Sequence, residues 1–139
     1  MAIRAATLDD VLRIREIRAD VRENRLSHPE RVSAADVVAF IERCGVWVWE
    51  EDGIILGFSA GDLADGTIWA LFVDPSCEGR GIGQALIAES CAGLRAAGHT
   101  MATLTTQPGS RAEGFYRRNG WTANGLDARG EMRFSKALV

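Results

Sequence analysis

The stretch LFVDPSCEGRGIGQALI, residues 71–87, links a predicted strand to a predicted helix, and the rest of the sequence can be placed around it. The β-rich run at 67–75 predicts a strand that ends at Pro75, because proline cannot donate a hydrogen bond to a strand ladder. A helix is predicted from about 81 to 97. Three glycines within five positions, 79, 81 and 83, fill the connection. So flexible a segment needs a conformational or functional reason.

The segments on either side of this connection alternate between β-rich runs and helical patterns. Thr7 followed by Asp9 and Asp10 predicts the start of a helix, and EDG at 51–53 between two β-rich runs predicts a hairpin. The predicted elements, in chain order, are a strand at 2–6, a helix at 8–25, a helix capped by Ser33 and ended by Gly45, strands at 46–50, 54–63 and 67–75, a helix at 81–97, a strand at 100–106, a helix from Ser110 to about Asn119, and closing strands near 120–121 and at 131–138.

The predicted order is therefore β-α-α-β-β-β-α-β-α-β-β. The early strands follow one another closely enough to pair as an antiparallel meander, and the later β-α-β unit adds a parallel crossover. We predict a single domain over residues 1–139 with a mixed α/β (α+β) fold. Its central sheet is expected to be mostly antiparallel, with six to seven strands flanked by about four helices.

Composition argues against several classes of partner. The chain has 139 residues and a formal net charge of −3, so no basic field steers it toward nucleic acid or an anionic membrane surface. Its three cysteines form no CxxC pair, which favours a reduced compartment. His28 and His99 show no metal-ligand spacing, so no metal site is predicted. The early charges do not fit a signal peptide, and no apolar run approaches the roughly 18 residues that span a bilayer. We therefore expect a cytoplasmic protein.

The glycine loop, residues 78–83, has two interpretations. Glycine adopts positive φ and lets another group approach the backbone closely, and a helix N-terminus offers unpaired N–H groups with partial positive charge. Together they suit a phosphate or pyrophosphate, to which Arg80 can add a charge-assisted contact. The alternative is a tight turn without a ligand. The standard nucleotide motifs do not fit, because no lysine completes a P-loop and the third glycine of G-x-G-x-x-G is absent.

Several motifs in chain order carry a resemblance to a known family. They are WALFVDPSCEGRGIGQALI (69–87), LTT (104–106) and AEGFYRRNGW (112–121). Through these motifs the chain resembles the GNAT superfamily of N-acetyltransferases, and the predicted order of elements extends the resemblance over all 139 residues. The family's loop pattern is Gln or Arg, two residues, Gly, one residue, then Gly or Ala. Gly81 and Gly83 match it, whereas Glu78 replaces the usual Gln or Arg.

The resemblance implies acetyl-coenzyme A (acetyl-CoA) as the cofactor. The backbone N–H groups of residues 80–84 would hold its pyrophosphate, and the strand before the loop would bind its pantetheine arm. That strand would splay from the next one, 100–106, and a backbone N–H near Leu71 would polarise the thioester carbonyl in the gap. The implied cofactor-binding residues are Leu71, Phe72, Val73, Gly79, Arg80, Gly81, Ile82, Gly83, Gln84 and Ser110.

Tyr116, the only tyrosine, lies where GNAT enzymes often place the residue that protonates the leaving thiolate. A phenol and an alkyl thiol have pKa values of about 10 and 8.5, so proton transfer carries no large penalty. The plainer interpretation is an aromatic side chain that packs the last helix. The asparagine that the family usually has seven residues earlier is replaced by Gly109, and Ser110 or Arg111 is the candidate to supply that contact.

The acceptor side carries weaker signals. A carboxylate, directly or through water, is expected to accept the proton of the attacking amine. Glu23 and Asp62 are the candidates, although a single acidic residue is more often a solvated surface group. Arg22 and Asn24 are expected to line the acceptor site. Trp69, on a central strand, would either wall that site or pack the core.

The sequence therefore predicts an acetyl-CoA-dependent N-acetyltransferase of the acyltransferase class. The amine of a small molecule would attack the thioester directly in a ternary complex, with no metal or covalent enzyme intermediate. Two alternatives stay open: a non-catalytic module that binds or senses acyl-CoA on the same scaffold, and a peptide or protein N-acetyltransferase. A homodimer is expected by analogy with relatives on this scaffold.

Overall fold

A seven-stranded sheet and four α-helices make up the described part of the chain, which in this computed structural model is residues 3–20, 34–43 and 45–138. The predicted continuation of the first helix to residue 25 and the predicted cap at Ser33 lie outside the described residues. Two short 3₁₀ turns lie at Leu8–Asp10 and Pro75–Cys77. The remaining elements follow the predicted order: β1 Ile3–Ala5, α1 Val11–Asp20, α2 Ala34–Glu42, β2 Val46–Glu51, β3 Ile54–Asp62, β4 Thr67–Val73, α3 Ile82–Ala96, β5 Met101–Thr106, α4 Arg111–Arg118, β6 Thr122–Leu126 and β7 Met132–Ala137.

The strands are arranged in the order β1-β2-β3-β4-β5-β7-β6. Neighbouring strands are antiparallel from β1 to β4 and again from β5 through β7 to β6. Among the described strands, only β4 and β5 run parallel. Helix α3 connects these two, because parallel neighbours need a long crossover to return the chain. The predicted mixed, mostly antiparallel fold is confirmed.

The turn between β2 and β3 shows how local sequence sets the strand register. Asp52 and Gly53 have φ values of +51° and +79°, as a type I′ hairpin turn requires. Because the twist of this turn matches that of the flanking strands, Glu51 lies directly opposite Ile54. The predicted hairpin at 51–53 is confirmed.

The sheet buries an apolar cluster on each face. One cluster combines α1 and α2 with β2, β3 and β4, and the other combines α3 and α4 with β4, β5 and β7. Strand β4 contributes to both, because successive side chains point to opposite faces. The largest fully buried members include Ile14, Ile17, Val37 and Phe58 in the first cluster and Leu94 and Phe134 in the second.

Two predicted boundaries are wrong. Strand β4 ends before Pro75, because the Asp74 side chain accepts a hydrogen bond from the Ser76 N–H and starts a 3₁₀ turn. Trp121 lies before β6 instead of inside a strand. Its N–H donates to the Tyr116 carbonyl oxygen at 3.1 Å, so it belongs to the turn that ends α4.

A glycine pair provides a test of the packing between α2 and β3. At Gly45 a Cβ atom would overlap the carbonyl oxygen of Gly61, whereas at Gly93 in α3 the nearest atom would be Trp47 Nε1 at 3.9 Å. We expect Gly45→Ala to lower the free energy of unfolding by about 2–3 kcal/mol. Gly93→Ala, the matched control, should raise it by up to about 1 kcal/mol because alanine favours a helix interior. Urea denaturation measures the change in the free energy of unfolding of each variant. An unchanged midpoint for Gly45→Ala would contradict the close packing of Gly45 against Gly61.

Candidate active site

Strands β4 and β5 separate soon after they meet. Between these two fully described strands, residue pairing is confined to Thr67 opposite Thr103. One further bond runs from the Thr103 N–H to the Gly66 carbonyl oxygen, at 3.1 Å. Beyond this point the described residues of β4 have no partner strand on the β5 side. The splay that the family resemblance implied is present, and it opens a gap within the sheet.

A β-bulge in β4 precedes the gap. Trp69 is an extra residue on β4, between the pair Ala60–Ala70 and the pair Gly61–Ile68. In consequence the consecutive side chains of Trp69 and Ala70 both pack in the cluster under α1 and α2. Bulges bend a strand and increase its twist, which turns the second half of β4 away from β5.

The second half of β4 presents backbone groups to the gap. The Asp74 N–H donates to the Leu56 carbonyl oxygen of β3 at 2.8 Å. Because backbone groups alternate in direction along a strand, Phe72 also bonds toward β3. The N–H and C=O groups of Leu71 and Val73 therefore point into the gap. They can bond an extended ligand that lies where a neighbouring strand would otherwise be.

The glycine loop closes one end of the gap and leads into α3. Gly79 and Gly81 have φ values of +84° and +82°, which residues other than glycine rarely adopt. The first N–H bonded within α3 is that of Ala85, which donates to the Gly81 carbonyl oxygen at 3.1 Å. The N–H groups of residues 82–84 therefore have no partner within the helix and lie at the positive end of its dipole.

The glycines of the loop differ in their surroundings. Gly81 has a positive φ, which a residue with a Cβ rarely adopts. A Cβ at Gly83 would lie 3.4 Å from Phe115 Cε1, an ordinary van der Waals contact with α4. At Gly79 no atom lies within 4 Å of the Cβ position, so this side of the loop is open to a ligand.

Asp74 connects the glycine loop to α1. Its carboxylate accepts bonds from the Ser76 hydroxyl at 2.7 Å and N–H at 3.0 Å, and from Arg13 Nη2 at 2.9 Å. These bonds hold the pKa of Asp74 below its usual value, with Ser76 contributing most. Arg13 also donates through Nε to the Ile55 carbonyl oxygen at 3.0 Å. The start of the loop is therefore anchored to both α1 and β3.

The gap and the glycine loop form one cleft of about 370 Å³. Its walls combine backbone from β4 and the loop with side chains of α4. The residues predicted from the sequence that line it are Leu71, Phe72, Val73, Gly79, Gly81, Ile82, Gly83, Gln84 and Tyr116.

The side chains of two predicted cofactor residues bond elsewhere. Arg80 Nη2 donates to Glu51 Oε2 on β2 at 2.5 Å. The Ser110 hydroxyl caps α4, since it accepts from the Glu113 N–H at 3.2 Å and donates to the Gln107 carbonyl oxygen at 2.6 Å. Neither residue is among the described residues that line the cleft. The prediction of side-chain contacts from Arg80 and Ser110 is therefore not supported by their positions.

Tyr116 is held among aromatic side chains. Its ring centroid lies 5.2–5.7 Å from those of Phe115, Trp121 and Phe134. Burial raises the pKa of Tyr116 above its usual value, with a smaller contribution from Cys91. No described residue bonds to the Tyr116 hydroxyl. Every fully buried side-chain oxygen among the described residues has a hydrogen-bond partner, so the Tyr116 hydroxyl oxygen is not fully buried. The hydroxyl oxygen therefore reaches the surface of the cleft, where a protonated phenol can act as a donor.

Three acceptor-side candidates, Glu23, Arg22 and Asn24, lie outside the described residues. Trp69 stacks on Phe40 of α2, with ring centroids 4.6 Å apart and 21° between the planes. It is half-buried there and is not among the described residues that line the cleft. Core packing, which the sequence left open as its alternative role, accounts for these contacts.

Asp62 lies far from the cleft. It pairs with Thr67 at the start of β4. Thr67 precedes Leu71 by four residues, which is about 13 Å at the usual strand rise. Its carboxylate accepts the Ala64 N–H at 2.9 Å and so stabilises the turn between β3 and β4. The structure does not bring this candidate base to the predicted residues that line the cleft.

On α4 the sequence interpretation named Arg111 and Tyr116 and missed the rest of the cleft wall. Arg111, Phe115 and Arg118 all line the cleft, and their spacing of four and three residues is the signal that they share one helix face. Asn119 continues this wall, and Gln84 Nε2 donates to its Oδ1 at 2.7 Å. The bond joins the start of α3 to the end of α4.

Comparison with known proteins identifies this architecture. The family model of the acetyltransferase (GNAT) domain matches residues 42–123, more than half of the chain. The chain belongs to the GNAT acetyltransferase family. The resemblance drawn from the motifs is confirmed. The matched segment of this GNAT chain contains the bulge, the gap and the glycine loop.

Individual relatives agree with this assignment. Serotonin N-acetyltransferase 2, chloroplastic, from Oryza sativa subsp. japonica is 34% identical over 83 residues, which are 53% of this chain and 40% of the rice protein. The PaiA N-acetyltransferase from Thermoplasma acidophilum, in complex with coenzyme A, superposes with a TM-score of 0.82 at 16% identity, covering 97% of both chains. YncA from Salmonella typhimurium, with its cofactor acetyl-CoA, has a TM-score of 0.80 at 20% identity over 100% of this chain and 94% of its own. At these identities the solved structures establish the fold alone.

Within residues 3–20, 34–43 and 45–138, no group of three or more His, Cys, Asp or Glu side chains is placed to hold a metal ion. None of the helices in these ranges is both long enough and apolar enough to cross a membrane.

The anchoring carboxylate gives a pH-dependent prediction. Asp74→Asn keeps an oxygen that can accept from Ser76 but removes the charge that faces Arg13, so at pH 7 we expect a loss of about 1 kcal/mol in the free energy of unfolding. The folded-state pKa of Asp74 lies below its ordinary value. Its stabilising effect is therefore present above about pH 4 and is lost as the pH falls through the folded-state pKa. Urea denaturation from pH 7 to pH 3 should show the variant and the unmodified protein converge.

Asp65→Asn is the matched control for this series. Asp65 accepts from the Thr67 hydroxyl at 2.7 Å and N–H at 3.0 Å, the same local geometry as at Asp74, without an ion pair to any described residue. A smaller loss at pH 7 is expected for it. Equal losses in the two variants, or a difference at Asp74 that does not shrink in acid, would show that the Arg13 pair adds nothing.

Proposed function

We propose that this GNAT chain transfers the acetyl group of acetyl-CoA to the amine of a small molecule. The observation that carries the proposal is the continuity of one cleft, which contains the outward backbone of β4, the first N–H groups of α3 and the Tyr116 residue. These groups match the three parts of one extended ligand: an amide-containing arm, a thioester and a pyrophosphate. Support also comes from PaiA and YncA, whose structures contain coenzyme A and acetyl-CoA.

The glycine loop fits a pyrophosphate. The N–H groups of residues 82–84 are donors at the positive end of α3, and the open space at Gly79 lets a ligand approach the backbone. The formal net charge of −3 does not oppose this binding, because the helix donors act at short range while distant surface charges are screened.

The outward edge of β4 fits the pantetheine arm and the thioester. The backbone groups of Leu71 and Val73 would bond the amides of the arm as a strand does. The Leu71 N–H would donate to the thioester carbonyl oxygen and stabilise the negative charge that develops there. When bound, the cofactor supplies an activated acetyl group, so the chain's own residues need to position it and polarise its carbonyl.

Tyr116 would assist the departure of the sulfur. Its raised pKa keeps the phenol protonated at neutral pH, but it also widens the gap to an alkyl thiol, whose pKa is about 8.5. Complete proton transfer is therefore less favourable than unperturbed values predict. We assign to the hydroxyl the donation of a hydrogen bond to the developing thiolate.

The proposed acceptor is the amine of a small molecule. The rice relative is a serotonin N-acetyltransferase, which supports the amine of a small molecule as the acceptor. Direct attack in a ternary complex requires the cofactor and the amine to bind together, since the enzyme supplies chiefly position and polarisation. Glu23 and Asp62 stay the proposed bases, and Asp62, which does not line the cleft, would act through intervening water.

The cofactor assignment is tested with a matched pair of glycine variants. Gly79 and Gly130 have φ values of +84° and +82° and no atom within 4 Å of the Cβ position, but only Gly79 lines the cleft. Valine at either position should lower the free energy of unfolding by a similar amount, roughly 1–2 kcal/mol. Calorimetric titration with acetyl-CoA should show binding to the unmodified protein and to Gly130→Val. For Gly79→Val it should be weaker by at least about tenfold, because a charge-assisted hydrogen bond contributes about 1.5–3 kcal/mol.

The titration has two informative failures. If the unmodified protein does not bind millimolar acetyl-CoA, the proposed function is wrong and the glycine loop is only a turn. If both valine variants bind as tightly as the unmodified protein, the pyrophosphate does not lie at Gly79.

Tyr116→Phe separates an enzyme from a binding module. No described residue bonds to the hydroxyl, so its removal should leave stability and the Kd for acetyl-CoA nearly unchanged. Turnover should fall by roughly a hundredfold or more if the hydroxyl assists the leaving sulfur. Because the pKa of Tyr116 is raised, the activity of the unmodified protein should not fall between pH 8 and about pH 10 through ionisation of this residue. The release of free thiol, measured with a panel of amines and over this pH range, gives the turnover and its pH dependence. Unchanged turnover in the variant would remove Tyr116 from the mechanism.

A further inference from the structure

An ion pair joins two residues that line the cleft. Arg111 Nη2 lies 2.8 Å from Glu78 Oε2. Glu78 begins the glycine loop, Arg111 is the first residue of α4, and both line the cleft. The pair therefore bridges the glycine loop and α4, which are two walls of the cleft.

The charges around the cleft make this pair unusual. Glu78 is the one carboxylate among the described residues that line the cleft. It stands beside the N-terminus of α3, where an anionic ligand would be favoured and a fixed negative charge would oppose it. Arg80 cannot offset that charge from its observed position, because its side chain pairs with Glu51. Arg111 is the cation that neutralises Glu78.

We infer that Arg111 exchanges partners when a phosphate-bearing ligand enters, so that the Glu78–Arg111 pair sets the affinity of the cleft. The guanidinium leaves the Glu78 carboxylate and binds a phosphate of the ligand. Glu78 then acts against binding in two ways, by competing for Arg111 and by repelling the phosphate. The inference rests on the proposed function, which makes acetyl-CoA the ligand.

The Glu78–Arg111 pair is itself a weak interaction. The side chains of Arg111 and Glu78 are 71% and 36% exposed, and exposed ion pairs contribute little to stability. The two phosphates of a pyrophosphate together carry more negative charge than one carboxylate, and a phosphate accepts the guanidinium fork through two oxygens. The incoming phosphate therefore outcompetes Glu78 for Arg111.

A double-mutant cycle tests the exchange. Calorimetry at fixed salt compares acetyl-CoA binding by the unmodified protein, Glu78→Gln, Arg111→Gln and the double variant. Glu78→Gln should tighten binding by about two- to fivefold, the range that an exposed ion pair allows, and Arg111→Gln should weaken it. In the Arg111→Gln background the gain from Glu78→Gln should be smaller, because no guanidinium is left to be released. Arg111→Lys keeps the charge and should retain part of the affinity.

The Arg117–Glu113 pair of α4 is the matched control. Its N–O distance is also 2.8 Å, and neither residue is among the described residues that line the cleft. Glu113→Gln and Arg117→Gln make the same changes in net charge and should leave the Kd within about twofold at physiological salt, because charges outside the cleft are screened. If Glu113→Gln tightens binding as much as Glu78→Gln, the effect is one of overall charge and the exchange is refuted.

The remaining outcomes separate this inference from the proposed function. No binding by the unmodified protein overturns the proposed function and the exchange together. Binding by the unmodified protein with weaker binding by Glu78→Gln overturns the exchange alone, since the pair would then hold the cleft in its binding shape. Equal gains from Glu78→Gln with and without Arg111 would also overturn it. Urea midpoints of the variants, which should stay close to that of the unmodified protein, show that each is folded.

Discussion

The early separation of β4 from β5 is the constraint on which the rest of the structure depends. A strand inside a sheet normally bonds on both sides, because buried backbone groups must be paired. Here the bulge at Trp69 turns β4 away after one residue pair, so Leu71 and Val73 keep outward backbone groups. The arrangement is tolerated because these groups face an open cleft instead of an apolar core. A binding edge thereby lies in the middle of the sheet.

The order of elements after β4 makes this edge part of a larger site. The strand ends at a capped turn, the glycine loop follows at once, and α3 starts with its unpaired N–H groups at the same end of the cleft. Asp74 fixes the start of this segment through Ser76 and Arg13. Donors for an extended arm and donors for an anion are thus brought together within one short piece of chain.

Local environment matters more than overall charge in this cleft. The chain is acidic overall, yet the donors that face the cleft are helix N–H groups, outward strand amides and two arginines of α4. Burial against Phe115, Trp121 and Phe134 makes Tyr116 a weaker acid and a lasting donor. The effect of these polar groups depends on their orientation and on their distance from a ligand, and the net charge of the chain contains neither quantity.

The sequence by itself determined the order of elements, the 51–53 hairpin, the start of α4 at Ser110 and the glycine loop. Each of these depends on a few neighbouring residues, through backbone φ preferences, capping side chains or periodicity. The family motif was readable for the same reason. Only the tertiary structure decided the bulge at Trp69, the position of Asp62 outside the cleft and the pair between Glu78 and Arg111. These features depend on strand register and on contacts between segments distant in the chain, which packing selects and local sequence does not encode.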